Sequence, residues 1–413
     1  MTQTLAVLVG GGPAPGINGV IASAAMEASQ CGLRPIGIYD GYRDLAVGVA
    51  PRTIELTFDA VSRIHTSGGS ILRTSRTNPA EDDATLARCV AALDALGVRY
   101  LVCIGGDDTT FGAAKIAEKT RGRIGIATVP KTIDNDLPLP DNAPTFGFET
   151  ARSVGAGILE SLMEDARTTE RWYIVVCMGR KSGALALGMC KAAGSTLAVL
   201  PEEFPAHTTL SSVADTIVGA IVKRRSLGRE HGVAVVAEGI AECIWDDVFG
   251  ASENLGRDSF GNVRLADVPL GIILRDAVRG RLEQIGVRST VHAKDIGYEL
   301  RCAKPVPFDV DYTRTLGFGA VRYLVDGGSG ALIALSGGRV QPIDLEGLLD
   351  PATGRIRTRQ VERSTEAYRV ARDYMVRLEP DDFTDDVRLR ALAAQTNLRP
   401  QEFRAAFERV ALP

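Results

Sequence analysis

Four short apolar runs, at residues 5–9, 35–39, 100–104 and 124–129, alternate with stretches of helical periodicity, clearest in DATLARCVAALDAL at 83–96. Each run is too short for a helix and lacks the in-out alternation of a half-buried strand. Unbroken apolar strands are buried on both faces, and joined through helices they pair in parallel. The pattern therefore predicts an open α/β sheet with helices on both sides. A second series follows, with strands expected at 172–178, 196–200 and 233–237 and helices near 182–193, 210–225 and 270–284. With 413 residues, one core is not enough and two domains are expected. The stretch 246–264 is polar and Gly-rich and reads as a loop. The charged chain after about 338 reads as short helices.

Composition removes several function classes. The net charge is −4 and no long basic tract exists, so no nucleic-acid partner is expected. No apolar run reaches a membrane span of roughly 18 residues, and the N-terminal stretch lacks a basic flank and is broken by Gly and Pro, so neither membrane nor targeting segment is expected. Seven cysteines, an odd number without a CxxC pair, suggest buried thiols in a reducing cytoplasm rather than disulfides or zinc.

Ligands in open α/β sheets bind at the carboxyl ends of strands, and there the chemistry-bearing residues gather. GGGPAPGIN at 10–18 is a glycine turn entering a helix, suited to present N–H groups to an anion, although no Gly-Lys-Ser/Thr follows; a tight structural turn is the alternative. Gly105-Gly106-Asp107-Asp108-Thr109 puts two carboxylates at a strand end, suited to magnesium-phosphate chemistry or, more plainly, to capping a helix. In Pro130-Lys131-Thr132-Ile133-Asp134-Asn135-Asp136 a carboxylate can take a proton while the lysine offsets phosphate charge; a charged turn is the alternative.

Together, in this order, the three turns resemble those of the phosphofructokinase family. IYDGY at 38–42, Met178-Gly179-Arg180, Glu238 in VVAEG and Gly297-Tyr298-Glu299-Leu300-Arg301 extend the likeness over about residues 4–325. The resemblance implies two αβα three-layer domains with mostly parallel sheets and an active site in the interdomain cleft. It places residues 1–145, with a returning piece near 270–315, in a pyrophosphate and Mg²⁺ domain. Residues 146–269 with about 316–413 form a sugar-phosphate domain with a C-terminal extension.

The same likeness implies roles. Gly12 and Arg76 would contact the donor phosphates, Asp107 would bind Mg²⁺, and Asp134 would be the general base at the sugar 1-hydroxyl, helped by Asp136. Thr132, Ile133, Met178, Gly179, Arg180 and Glu238 would hold the sugar, and Tyr298 and Arg301 its existing phosphate. Arg171 would cross to a neighbouring subunit's site, which implies a homodimer or homotetramer. His292 stands where the family has a phosphate-clamping arginine, with Lys294 as a possible substitute.

Two positions set the expected donor. ATP-using members resemble one another in having Gly at the places of Asp108 and Lys131, whereas the pyrophosphate-dependent branch has Asp and Lys. A carboxylate near the α-phosphate of ATP would repel it by about 4 kcal/mol at 4 Å and an effective dielectric near 20. The implied reaction is reversible phosphoryl transfer from pyrophosphate to fructose 6-phosphate in the cytoplasm. Sedoheptulose 7-phosphate as acceptor, a non-catalytic regulatory subunit and a Rossmann dehydrogenase are the alternatives. The last fits poorly, because the first turn lacks GxGxxG.

Overall fold

The computed structural model describes residues 2–250, 265 and 268–411. Its strands are β1 (Thr4–Val9), β2 (Arg34–Ile38), β3 (Thr53–Glu55), β4 (Val98–Gly105), β5 (Gly125–Thr132), β6 (Phe146–Gly147), β7 (Arg171–Cys177), β8 (Leu197–Val199), β9 (Gly232–Ala237), β10 (Thr290–Ile296), β11 (Ala331–Ser336) and β12 (Arg339–Asp344). Two compact units result, one from residues 2–151 and 298–359, the other from 152–250, 268–297 and 360–411.

In the first unit the sheet order is β12-β11-β5-β4-β1-β2-β3, with β6 beside β5. Its central strands pair in parallel, and β3 and β12 are antiparallel edges. The period of two explains why the apolar runs are unbroken. Leu5, Val7 and Val9 face a core shared with helices Ile17–Gln30 and Pro307–Val325, while Ala6 and Leu8 face a core shared with Asp83–Ala95 and Asp107–Thr120. Both faces are covered, as expected. Asp40 in the IYDGY turn has a left-handed φ of 57° and pairs with Arg43 and Arg52. A Cβ on Gly41 would sit 2.7 Å from the Val9 carbonyl oxygen, so this turn is fixed by packing against the end of β1.

The second unit holds the all-parallel sheet β10-β7-β9-β8. Helices Ala184–Ala193, Leu210–Ser226 and Leu270–Gln284 lie where the sequence predicts them. The tail belongs to this unit: the Val376 N–H donates to the Thr196 carbonyl at 2.9 Å, and Phe383, Phe403 and Phe407 are fully buried.

Three expectations differ from what is seen. Residues 270–297 fall in the second unit rather than the first, because β10 pairs along its whole length with β7. Residues 316–359 fall in the first, because β11 pairs with β5. Of the expected loop at 246–264, Trp245–Val248 is a short helix and 251–264 lies outside the described residues. Four cysteines are buried and none is bonded, as expected, but Cys302 is exposed. Burial pushes the Cys89, Cys103 and Cys190 thiols up to about 12, which keeps them protonated and inert. No described helix is long and apolar enough to cross a membrane.

Candidate active site

The strand order β5-β4-β1 sets the three motif turns side by side at the carboxyl ends of adjacent strands. Gly10 follows β1, and its N–H donates to the Ile104 carbonyl at the end of β4 (2.9 Å); the Gly11 N–H donates to Ser75, beside Arg76 (2.8 Å). A Cβ on Gly10 or Gly105 would collide with the Thr109 side chain, so the two turns can touch only as glycines. Asp107 and Asp108 occupy the first turn of helix Asp107–Thr120, where the N-terminal dipole favours carboxylates.

Lys131 is the centre of the assembly. It closes β5, is 4% exposed, and its Nζ donates to the Gly12 carbonyl. Burial first, then the nearby Arg301 and Arg76 guanidinium groups, pushes its pKa down to about 7, against the opposing pull of Asp134 and Asp107. One buried amine thus has Gly12, Arg76, Asp107, Asp134 and Arg301 around it. Arg301 also stands against the glycine turn, its guanidinium carbon 3.5 Å from where a Gly12 Cβ would be. It stacks over the ring of Tyr298, which is 67% exposed. This places Arg301, expected on the acceptor's phosphate, beside the expected donor turn.

The loop after β5 is held by its own residues. Thr132 Oγ1 accepts from the Asp134 N–H (3.1 Å), Asn135 takes a left-handed φ of 57°, and Asn135 Oδ1 accepts from the Thr145 N–H (3.0 Å). Ile133 is buried, so polar contact there can come only from its backbone. The buried Asp136 adds a carbonyl that accepts from the Arg359 N–H at 2.7 Å.

Arg359 is the residue that sequence reasoning missed. Its Nε donates to the Asn135 carbonyl and one Nη to the Ala143 carbonyl, both at 3.0 Å, and the other Nη to Asn135 Oδ1. A single guanidinium fork from the far end of the chain therefore ties the PKTIDND loop to its return. Asp309 was missed as well. Buried, it accepts from the Gly147 and Thr150 N–H groups (2.8 Å each) and caps helix Phe148–Thr169.

In the second unit the carboxyl ends of β7 and β9 bring Met178-Gly179-Arg180 and Glu238 together. The Glu238 N–H donates to the Cys177 carbonyl (2.9 Å), and the Gly179 N–H approaches Glu238 Oε1 (3.4 Å). Gly179 has φ 133° and Gly239 packs on the Arg180 carbonyl, which only glycine permits. Met178 is buried against Gly297. Arg171 is not with this group. It opens β7 near Asp165, six residues from Cys177 and so about 20 Å along the strand. His292 pairs with Tyr173 on that same stretch, ring centroids 5.8 Å apart.

Residues 4–324 match the family described as Phosphofructokinase. The chain belongs to the phosphofructokinase family. It is 49% identical over 412 residues, 98% of each chain, to the pyrophosphate–fructose 6-phosphate 1-phosphotransferase of Thermotoga maritima. It is 46% identical to the protein of that name from Naegleria fowleri, over 98% of this chain and 95% of the other. A pyrophosphate-dependent phosphofructokinase structure from Nitrosospira multiformis superposes with a TM-score of 0.68 over 96% of this chain and 92% of the other at 18% identity, which shows the phosphofructokinase fold. The expected fold class and family are borne out.

Proposed function

We propose that this phosphofructokinase transfers a phosphoryl group from pyrophosphate to the 1-hydroxyl of fructose 6-phosphate, giving fructose 1,6-bisphosphate and phosphate. The near-full-length likeness to two pyrophosphate–fructose 6-phosphate 1-phosphotransferases supports it. The observation that carries the donor choice is the buried Lys131 amine between the glycine turn and the Asp107–Asp108 turn. Phosphoryl transfer needs positioning and charge stabilisation more than covalent help. Gly12, Arg76 and Lys131 bind the short donor, and Asp108 fills the place that the α-phosphate of ATP would take. Asp134 takes the proton of the attacking hydroxyl, and in reverse returns it. Thr132, Ile133, Met178, Gly179, Arg180 and Glu238 orient the sugar. Tyr298 and Arg301 hold anionic oxygen.

The residues fit a magnesium ion. Among the described residues no group of three or more His, Cys, Asp or Glu could hold a metal unaided. Mg²⁺ typically takes one or two carboxylates and completes its shell with phosphate oxygens and water, so Asp107 would hold it together with the donor. When bound it neutralises charge on the transferring phosphoryl group.

Arg171 serves the acceptor's phosphate in a second copy of the chain, since its own strand carries it away from Met178–Arg180. Mixed Arg171→Ala and Asp134→Ala chains should regain activity that neither has alone. The test of the activity itself is purified protein with fructose 6-phosphate, Mg²⁺ and either pyrophosphate or ATP. Turnover with pyrophosphate and little with ATP is expected, and equal turnover with both would overturn the donor assignment.

A further inference from the structure

A cavity of about 740 Å³ opens in the second unit, where the C-terminal residues 363–411 meet the segment 203–216. That volume lies in the range of small-molecule sites. None of its lining residues belongs to the reaction site.

Its charge is unbalanced. Arg363, Arg372, Arg377 and Arg409 line it against Glu203 and Glu379, a surplus of two positive charges. The pairing among them is only partial. Arg377, 5% exposed, donates through Nη1 to Glu203 at 2.5 Å, while its buried Nε has no hydrogen-bond partner among the described residues. Arg372 donates to Glu379 at 2.9 Å, and Arg409 pairs with Asp215. Asp215 already holds Arg281 (2.7 Å), so a cationic excess remains. Arg363, at the rim, makes no ion pair among the described residues. Arg363 is exposed and Arg377 is buried with its Nε unmet among the described residues, a donor that an anion entering the cavity would satisfy. Phe204, Pro205, Pro380 and Val410 supply an apolar wall beside the arginines.

We propose that this cavity is a binding site for a small organic phosphate dianion with an apolar body, with Arg363 and Arg377 on the phosphate and the Phe204–Pro380 wall on the body. The arginine fork suits phosphate oxygens, and the wall selects against bare inorganic phosphate.

Phenylphosphonate, a stable dianion with an apolar ring, is the probe, titrated calorimetrically into the full-length protein. Saturable binding is expected, with methylphosphonate at least about tenfold weaker for want of the ring. Arg363→Glu should weaken phenylphosphonate about tenfold or more and leave turnover unchanged. Glu379→Gln should tighten it, because the change removes a negative charge beside Arg372, which then faces Glu203 alone. Lys131→Met, which cripples the reaction site, should leave it unaffected. The proposal is overturned if wild type shows no binding, if Arg363→Glu binds as well as wild type, if Glu379→Gln fails to tighten, if methylphosphonate binds equally, or if Lys131→Met abolishes the signal.

Discussion

Lys131 should take up a proton when pyrophosphate binds, and Lys131→Met should not. Burial and two guanidinium groups disfavour the ammonium and hold the amine's pKa near 7. One pH unit above that value, about nine tenths of the side chains are neutral. A bound polyanion reverses the balance by stabilising the charged form. At pH about 8, wild type should therefore bind close to one more proton per site than Lys131→Met does. Calorimetric titration of pyrophosphate in two buffers of different ionisation enthalpy measures that uptake, and the difference between the proteins cancels the ligand's own titration. Stability supplies a second readout. Lowering the pKa from 10.5 to about 7 corresponds to about 5 kcal/mol at 1.36 kcal/mol per tenfold. Between pH about 7 and about 10 the unfolded chain keeps a proton that the folded one has released, so stability rises with pH across that window. The penalty is full below about pH 7. Without ligand, Lys131→Met should be the more stable protein at neutral pH and should lose that rise. Equal proton uptake by both proteins, or a less stable Lys131→Met, would refute the reasoning.

Three further outcomes follow from the same site. Asp134→Ala should lower kcat about 10²–10⁴-fold while the protein still folds cooperatively, since it removes the base; near-normal turnover would remove Asp134 from that role. Asp108→Gly should be a poor pyrophosphate enzyme whose kcat/KM ratio moves towards ATP, and adding Lys131→Gly should move it further and non-additively; an unchanged donor ratio in steady-state assays would mean Asp108 is not the gate. Arg359→Ala should cut kcat on the order of 10-fold to 100-fold through a displaced Asp134 loop, with pyrophosphate affinity by calorimetry nearly unchanged. Millimolar guanidinium should restore part of that rate, and a loss confined to KM would refute a positioning role.

Much of this was readable in the sequence because the chemistry sits where strands stop. Buried parallel strands must be apolar throughout, so β1, β4 and β5 stand out, and the turns that end them carry the glycines, Asp107, Asp108, Lys131 and Asp134. Edge strands hide better. β10 reads TVHAKDI, with polar residues on both faces and no unbroken apolar run, and its sequence does not say which sheet it joins. That choice moved 270–297 from the first unit to the second. Arg359 was invisible for a different reason. Its function lies in contacts to backbone carbonyls 216 and 224 residues away, and backbone acceptors leave no mark on side-chain composition. Arg171 shows the converse: spacing from Met178 located it on a strand, but not at which end its guanidinium would matter.

The first unit is interrupted, and that orders events during synthesis. Its interior strand β5 waits for β11, whose Ala331 pairs with Ala127, and the PKTIDND loop waits for Arg359. All three motif turns have left the ribosome when less than half the chain has been made, yet the clamp on the loop carrying Asp134 arrives only in the last sixth. Long-range pairing of this kind is slow, and it leaves a strand edge exposed in the meantime. A nascent or truncated chain ending between residues 301 and 359 thus carries every motif residue and lacks the clamp on its PKTIDND loop.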